Sequence, residues 1–94
     1  MRVRMLYFGI VKDLLGVERE TVEVPVGMTV EGVLSFSRLR SSKESEIWNS
    51  LAVAVNREYA QRSAVLHEGD EVALLPPVSG GLDRAEKNEE RQDA

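Results

Sequence analysis

Two adjacent prolines, Pro76 and Pro77, constrain this chain more than any other feature, because they follow directly on a strand and no sheet ladder can continue through them. Upstream, Glu71-Val72-Ala73-Leu74-Leu75 sets Val72 and Leu74 against Glu71 and Ala73, the period-2 pattern of a strand with one buried face. The Pro-Pro pair removes two consecutive backbone donors, so the chain must leave the sheet there. Val78-Ser79 and then Gly80-Gly81 follow. Proline holds an extended direction and glycine carries no side chain, so the run reads as a stiff stalk with a tip slim enough for a slot closed to other residues. A Gly-Gly pair by itself reads as a flexible linker; the uninterrupted order of turn, strand, Pro-Pro and Gly-Gly favours an insertion arm.

The remainder of the chain reads as the support for that arm. Val3, Met5 and Tyr7 alternate with Arg2, Arg4 and Leu6, which predicts a first strand ended by Gly9. Ile10 to Leu15 is a short helical stretch closed by Gly16. Arg19 to Val24 alternates again, with Val22 and Val24 inward, until Pro25 and Gly27 stop it; the two strands predict an opening antiparallel hairpin. Thr29 stands at a helix N-cap, and Val30, Val33 and Leu34 form one buried stripe on the main helix. Phe36 and Leu39 fall off that stripe, so the helix is expected to fray there or to pack under the irregular loop at 40–45. Ile47, Trp48 and Leu51 are expected to form a second small apolar cluster, with Trp48 a core plug rather than a ligand-stacking ring. Leu51 to Val55 predicts a strand with Val53 and Val55 inward, and Asn56-Arg57-Glu58 a turn. An irregular return from Tyr59 to Val65 and a last turn from Leu66 to Asp70 lead into the final strand. Strand, strand, helix, strand, irregular return, strand is not a strict βαβ alternation, and it predicts an α+β fold with a small mixed sheet wrapped around one main helix.

Chemistry is scarce. A chain of 94 residues builds one domain with a modest core. There is no cysteine, hence no disulfide, no thiolate metal site and no thiol nucleophile. The one histidine, His67, sits in a turn without ligand or triad company, and no metal is expected. Glu68, Asp70 and Glu71 read as a solvated turn rather than an acid/base pair. Gly80-Gly81 is followed by Leu82-Asp83, not by the Lys-Ser/Thr of a phosphate loop. A net charge of −4 argues against a nucleic-acid surface and slightly for partners with basic patches. No apolar run approaches the roughly 18 residues of a membrane span, and Met1-Arg2-Val3-Arg4 lacks the apolar centre of a signal peptide, so no membrane partner is expected and the reading places the protein in the cytosol. A domain with an insertion arm and no active site of its own reads as a carrier or substrate for enzymes that supply the site.

The ending from Gly69-Asp70 through Pro76-Pro77 to Gly80-Gly81, together with Met5-Leu6-Tyr7-Phe8, Ala52-Val53-Ala54-Val55-Asn56 and the spacing from Met1 to Gly81, closely resembles the small, sulfur-carrying subunit of molybdopterin synthase. The resemblance covers residues 1–81 and implies the ubiquitin-like β-grasp fold. It implies sulfur carriage for molybdenum cofactor biosynthesis. An E1-like adenylating enzyme uses ATP to convert the carboxylate of the final glycine into an acyl-adenylate, and sulfur replaces AMP to leave a thiocarboxylate. That group then donates sulfur to the pterin precursor held by the large subunit, in a heterotetramer. No cofactor is bound by the carrier itself, and as an enzyme it counts only as a subunit without its own active site. Carried over residue by residue, Gly81 is the adenylated and thiocarboxylated position, Gly80 its slot-fitting neighbour, and Pro76 and Pro77 the rigid exit. If the first and last strands lie side by side, Phe8 and Leu75 meet in an exposed apolar patch beside the arm, the expected partner surface.

This sequence departs from that pattern in one respect: Gly81 is joined by an amide to Leu82, so no carboxylate exists there until the bond is cut. The domain reading is therefore a carrier domain at 1–81 and a charged, disordered extension at 82–94, whose one sizeable apolar residue is Leu82. The extension reads as a cap removed by a processing protease, as the remnant of a linker to a fused partner, or as inert. Beside the molybdenum-cofactor carrier stand a thiamine-type sulfur carrier or ubiquitin-like protein modifier, and a non-catalytic interaction domain of the same fold.

Overall fold

The computed structural model describes residues 1–77. Alternating Val3, Met5 and Tyr7, all buried, form β1 (Arg2–Tyr7). A short helix, α1 (Ile10–Leu15), follows; it buries Val11 and Leu14 and ends where Gly16, at φ 79°, donates its N–H to the Lys12 carbonyl. The chain returns as β2 (Arg19–Glu23), antiparallel to β1 in the register Val3↔Val22 and Met5↔Glu20, so the opening hairpin is formed as expected. The main helix, α2 (Val30–Leu39), starts where the Thr29 hydroxyl accepts the Gly32 N–H at 3.1 Å. β3 (Ala52–Val55), a two-residue β4 (Glu58–Tyr59) and β5 (Glu71–Leu75) complete a sheet in the order β2-β1-β5-β3-β4. β1 and β5 run parallel and the other pairs antiparallel, which makes the sheet mixed. With α2 against its inner face, this is the β-grasp arrangement.

Two local expectations are corrected. The helix does not fray at Phe36: it runs on to Leu39, although Phe36 and Leu39 are both exposed. Ser37, fully buried, extends the Val30/Val33/Leu34 stripe by another turn, and Arg40 ties the C-terminal end to Glu20 of β2, so tertiary contacts hold a turn that the apolar pattern alone does not support. Nor do Ile47, Trp48 and Leu51 form a separate cluster. A single 3-10 turn at Glu46–Asn49, begun by the Ser45 hydroxyl accepting the Ile47 N–H, drives Trp48 into the one core shared by both sheet and helix. Trp48 is a plug, as expected. The turn at Asn56 and Arg57 has φ values of 53° and 73°, the doubly positive geometry of a tight hairpin, and it sets β4 back against β3.

Candidate functional site

β5 is a central strand, with Val72 and Leu74 fully buried and partners on both sides, β1 and β3. It therefore holds the direction in which the chain leaves the sheet. The last laddered residue is Leu75, opposite Ala52, and Pro76-Pro77 follow with no N–H to extend the pairing. Beside this exit the backbone of β1 runs one residue further than the strand itself: the Phe8 N–H donates to the Leu74 carbonyl at 3.3 Å, which puts Phe8 beside Leu75. Gly9 then packs on Pro76. A Cβ at Gly9 would come within 2.9 Å of the Pro76 ring, and its φ of 56° with ψ of −133° is a backbone shape open to glycine. Half-buried Pro76 is thus gripped at the base of the arm, while Pro77 is exposed.

Phe8 and Leu75 do come together on the sheet face turned away from α2. Register extends that face across the sheet: Leu6, Ala73, Ala54 and Tyr59 lie in one row on β1, β5, β3 and β4. The two alanines make a flat floor, and Phe8, 45% exposed, and Tyr59, 81% exposed, stand up from it. A groove of about 360 Å³ opens between Leu6, Phe8 and Gly9 at the foot of the arm. Its charged lining is Arg4, Lys12, Arg19 and Arg57 against Glu18 and Glu71, and none of the six is in an ion pair among the described residues. The face beside the arm is therefore locally cationic although the chain as a whole carries −4.

Directly beneath, on the inner side, Tyr7 donates its hydroxyl to Glu20 Oε2 at 2.6 Å, and Arg40 donates Nη1 and Nη2 to both oxygens of the same carboxylate at 2.7 and 2.8 Å. The Arg40 guanidinium in turn lies over the Phe36 ring, 5.2 Å from its centroid. Burial first, and the Glu20 carboxylate second, push the Tyr7 hydroxyl far above its usual range, so it is a neutral donor at any ordinary pH and not a base. The Arg40 hydrogen bonds hold the Glu20 carboxyl below the usual range. This cluster fixes the end of β1 from below while Phe8 is offered above.

Gly80, Gly81 and the segment 82–94 lie outside the described residues. The cationic rim and the Gly9 collar escaped sequence reading. Arg4 and Arg19 are ordinary outward strand residues until register places them beside Leu6, and Gly9 reads as a strand terminator until Pro76 is seen against it. His67 is 80% exposed, with Nδ1 3.9 Å from Asp70. Among the described residues there is no group of His, Asp and Glu side chains arranged to hold a metal, and no helix is long and apolar enough to cross a membrane.

The sequence model of the ThiS family matches residues 5–81, ending on the second glycine. The chain is 32% identical over 81 residues to the molybdopterin synthase sulfur carrier subunit of Arabidopsis thaliana, covering 86% of this chain and 84% of that one. A structure from Pyrococcus furiosus described as molybdopterin converting factor subunit 1 superposes with a TM-score of 0.72 at 29% identity, over 83% of this chain and 99% of that one. The fold is shared too with a chain from the Helicobacter pylori complex of subunits 1 and 2 of molybdopterin-converting factor, at a TM-score of 0.62 and 24% identity, where 86% of this chain takes in the whole of the other.

Proposed function

The chain belongs to the ThiS family, among the sulfur carriers of the molybdopterin synthase type, and on that premise we propose that Gly81 is its sulfur-bearing residue and that the apolar face around Phe8 and Leu75 is where it docks. The observation that carries the reading is the coincidence of two ends: the family match stops at Gly81, and the last strand stops six residues earlier at Leu75, just before a gripped Pro76. The chemistry has a fixed order. Hydrolysis of the Gly81–Leu82 amide frees a carboxylate. That carboxylate attacks the α-phosphorus of ATP on an E1-like activating enzyme, displacing pyrophosphate, because a carboxylate oxygen must first become a good leaving group. A sulfur nucleophile then displaces AMP, and the resulting thiocarboxylate is delivered to the pterin precursor in the large subunit. The absence of cysteine is compatible with this scheme, since the sulfur sits on the main chain.

Docking by the outer face places the arm. With β5 held in the sheet and Pro76 gripped by Gly9, the chain leaves the sheet beside the patch, so a partner seated on Phe8, Leu75 and Tyr59 meets the arm at its base. The same sheet face serves the activating enzyme and the large subunit in turn, and its rim of Arg4, Lys12, Arg19 and Arg57 suits partners with carboxylates around an apolar centre. The segment 82–94 is a cap that keeps the carrier inactive until it is removed. Intact mass of the protein isolated from its native cells tests the proposal: a species ending at Gly81, part of it with one oxygen replaced by sulfur, is expected. Exclusive recovery of the chain through Ala94 from cells that are making the cofactor would overturn it.

A further inference from the structure

We infer that β2 is a self-pairing edge, through which two copies of this chain join their sheets about a two-fold axis at Thr21. The hydrogen bonds on the other side of the strand set which groups of β2 face outward. Met1 and Val24 exchange both backbone bonds, at 2.7 and 2.8 Å, and the Tyr7 N–H donates to the Glu18 carbonyl at 2.9 Å. In an antiparallel ladder directly opposed residues alternate between bonded and unbonded pairs, so Val3/Val22 and Met5/Glu20 are bonded while Arg2/Glu23, Arg4/Thr21 and Leu6/Arg19 are not. Arg19, Thr21 and Glu23 consequently turn their N–H and C=O groups away from β1. No strand lies on that side among the described residues, and none of those three residues has a backbone partner there.

An open edge is usually defended by a bulge, a proline, charged side chains or an inward-pointing charge. β2 has no bulge and no proline, its inward charge, Glu20, is taken up by Arg40 and Tyr7, and its outward charges, Arg19 and Glu23, are of opposite sign and stand symmetrically about Thr21. Laid antiparallel on a second copy with Thr21 facing Thr21, Arg19 meets the other copy's Glu23 twice, and the two threonines meet on the axis. All three outward residues then form directly bonded pairs, giving about six backbone hydrogen bonds at two per pair. The charges form a row: Arg2 and Glu23 of one copy, then Arg19 of the other, alternate in sign across the joined sheet. Neither Arg19 nor Glu23 is in an ion pair among the described residues, so both are available for this contact. Pro25, which has no N–H, ends the ladder at each side. The two-fold axis reverses β5 of one copy relative to that of the other, so the two exits at Pro76 lie at opposite ends of the joined sheet, and each Phe8–Leu75 face stays open.

The contact is small. A five-residue strand pair falls short of the roughly 1,000 Å² typical of a stable interface, so self-association on the order of 0.1–1 mM is expected rather than a permanent dimer. Sedimentation equilibrium and concentration-dependent NMR of the intact chain test it. Arg19→Glu and Glu23→Arg each turn both cross-strand pairs into like charges and should weaken self-association by roughly tenfold. Mixed together, the two variants should pair with each other, since each then supplies the charge that the other lacks. Thr21→Pro removes the N–H on the axis without touching a bond to β1; it should abolish pairing, with an unchanged melting temperature to show that the fold is kept. A wild-type chain that stays monomeric to about 1 mM, single variants that associate like the wild type, or a mixture that fails to pair would each overturn the inference. So would an edge that accepts only a strand from another protein.

Discussion

Phe8 is the residue on which the docking reading is most exposed to test. It stands 45% exposed at the foot of the arm, held there by its own N–H on Leu74, and Leu75 lies beside it. Phe8→Asp or Leu75→Asp places a charge where an apolar anchor was, and its desolvation opposes binding. Each is expected to weaken association with the large subunit by about 2–4 kcal/mol with the fold intact; unchanged affinity by calorimetry would show that the face is not the docking surface. Glu20 is the corresponding test of the support beneath. Its folded-state carboxyl titrates below the ordinary 4.5 because Arg40 and Tyr7 donate to it, so its contribution is fully present above that value and is lost as the pH falls through the lowered one. Glu20→Gln should cost about 1–2 kcal/mol of stability at pH 7, a figure kept low because Arg40 is partly open to solvent. The difference from wild type should shrink as chemical denaturation is repeated below pH 4.5; a difference that persists undiminished in acid would remove the carboxylate from that role.

At the scale of elements, the arm and the strand that launches it divide the work. β5 is central and buried, so its direction is set by β1 and β3 on either side; the ladder ends at Leu75 and the prolines carry the chain outward. On the proposed function, what lies beyond enters an activating site and must be slim. Gly80→Val keeps charge and chain length but adds a branched side chain and narrows the backbone's range. Adenylation and sulfur delivery by protein ending at Gly81 are expected to fall at least tenfold, since a slot shaped for a bare backbone must open by the width of a side chain, while the melting temperature is unchanged. Normal rates in both reactions would show that the slot is not narrow at this position. The main helix shows how element boundaries escape pattern reading. Its stripe of Val30, Val33 and Leu34 is plain in the sequence, but its last turn rests on buried Ser37 and on Arg40 reaching Glu20, which is 20 positions away along the chain.

For the whole molecule, the decisive comparison is between the chain through Ala94 and the chain ending at Gly81. Incubated with the activating enzyme, ATP and a sulfur donor, the shorter protein should gain the mass change of one oxygen replaced by sulfur, and the longer one should gain nothing. The reason is that an amide carbonyl offers no carboxylate to adenylate. Sulfur loading of the longer chain at a comparable rate, with no cleavage in the mass spectrum, would overturn both the cap and the order of steps.

Whatever depends on near neighbours along the chain is legible in the order of its residues. The alternation at Val3, Met5 and Tyr7 and at Val72 and Leu74, the Thr29 cap, the left-handed stop at Gly16 and the end of the ladder at Pro76 are all decided within a few residues by sterics and by the supply of backbone donors. The lack of a thiol was equally legible, because composition cannot be altered by folding. Whatever depends on register between distant segments emerges with the folded sheet. Only the pairing of β1 with β5 and of β5 with β3 brings Leu6, Ala73, Ala54 and Tyr59 into one row and gathers Arg4, Arg19 and Arg57 around it. A net charge of −4 pointed towards basic partners, yet the face beside the arm is cationic, because net charge sums over the whole surface whereas a partner senses the field within about one Debye length. Gly9 makes the same point for the backbone: its neighbour Pro76 is 67 positions away in the chain, and only the parallel strand pair makes a missing side chain there a requirement.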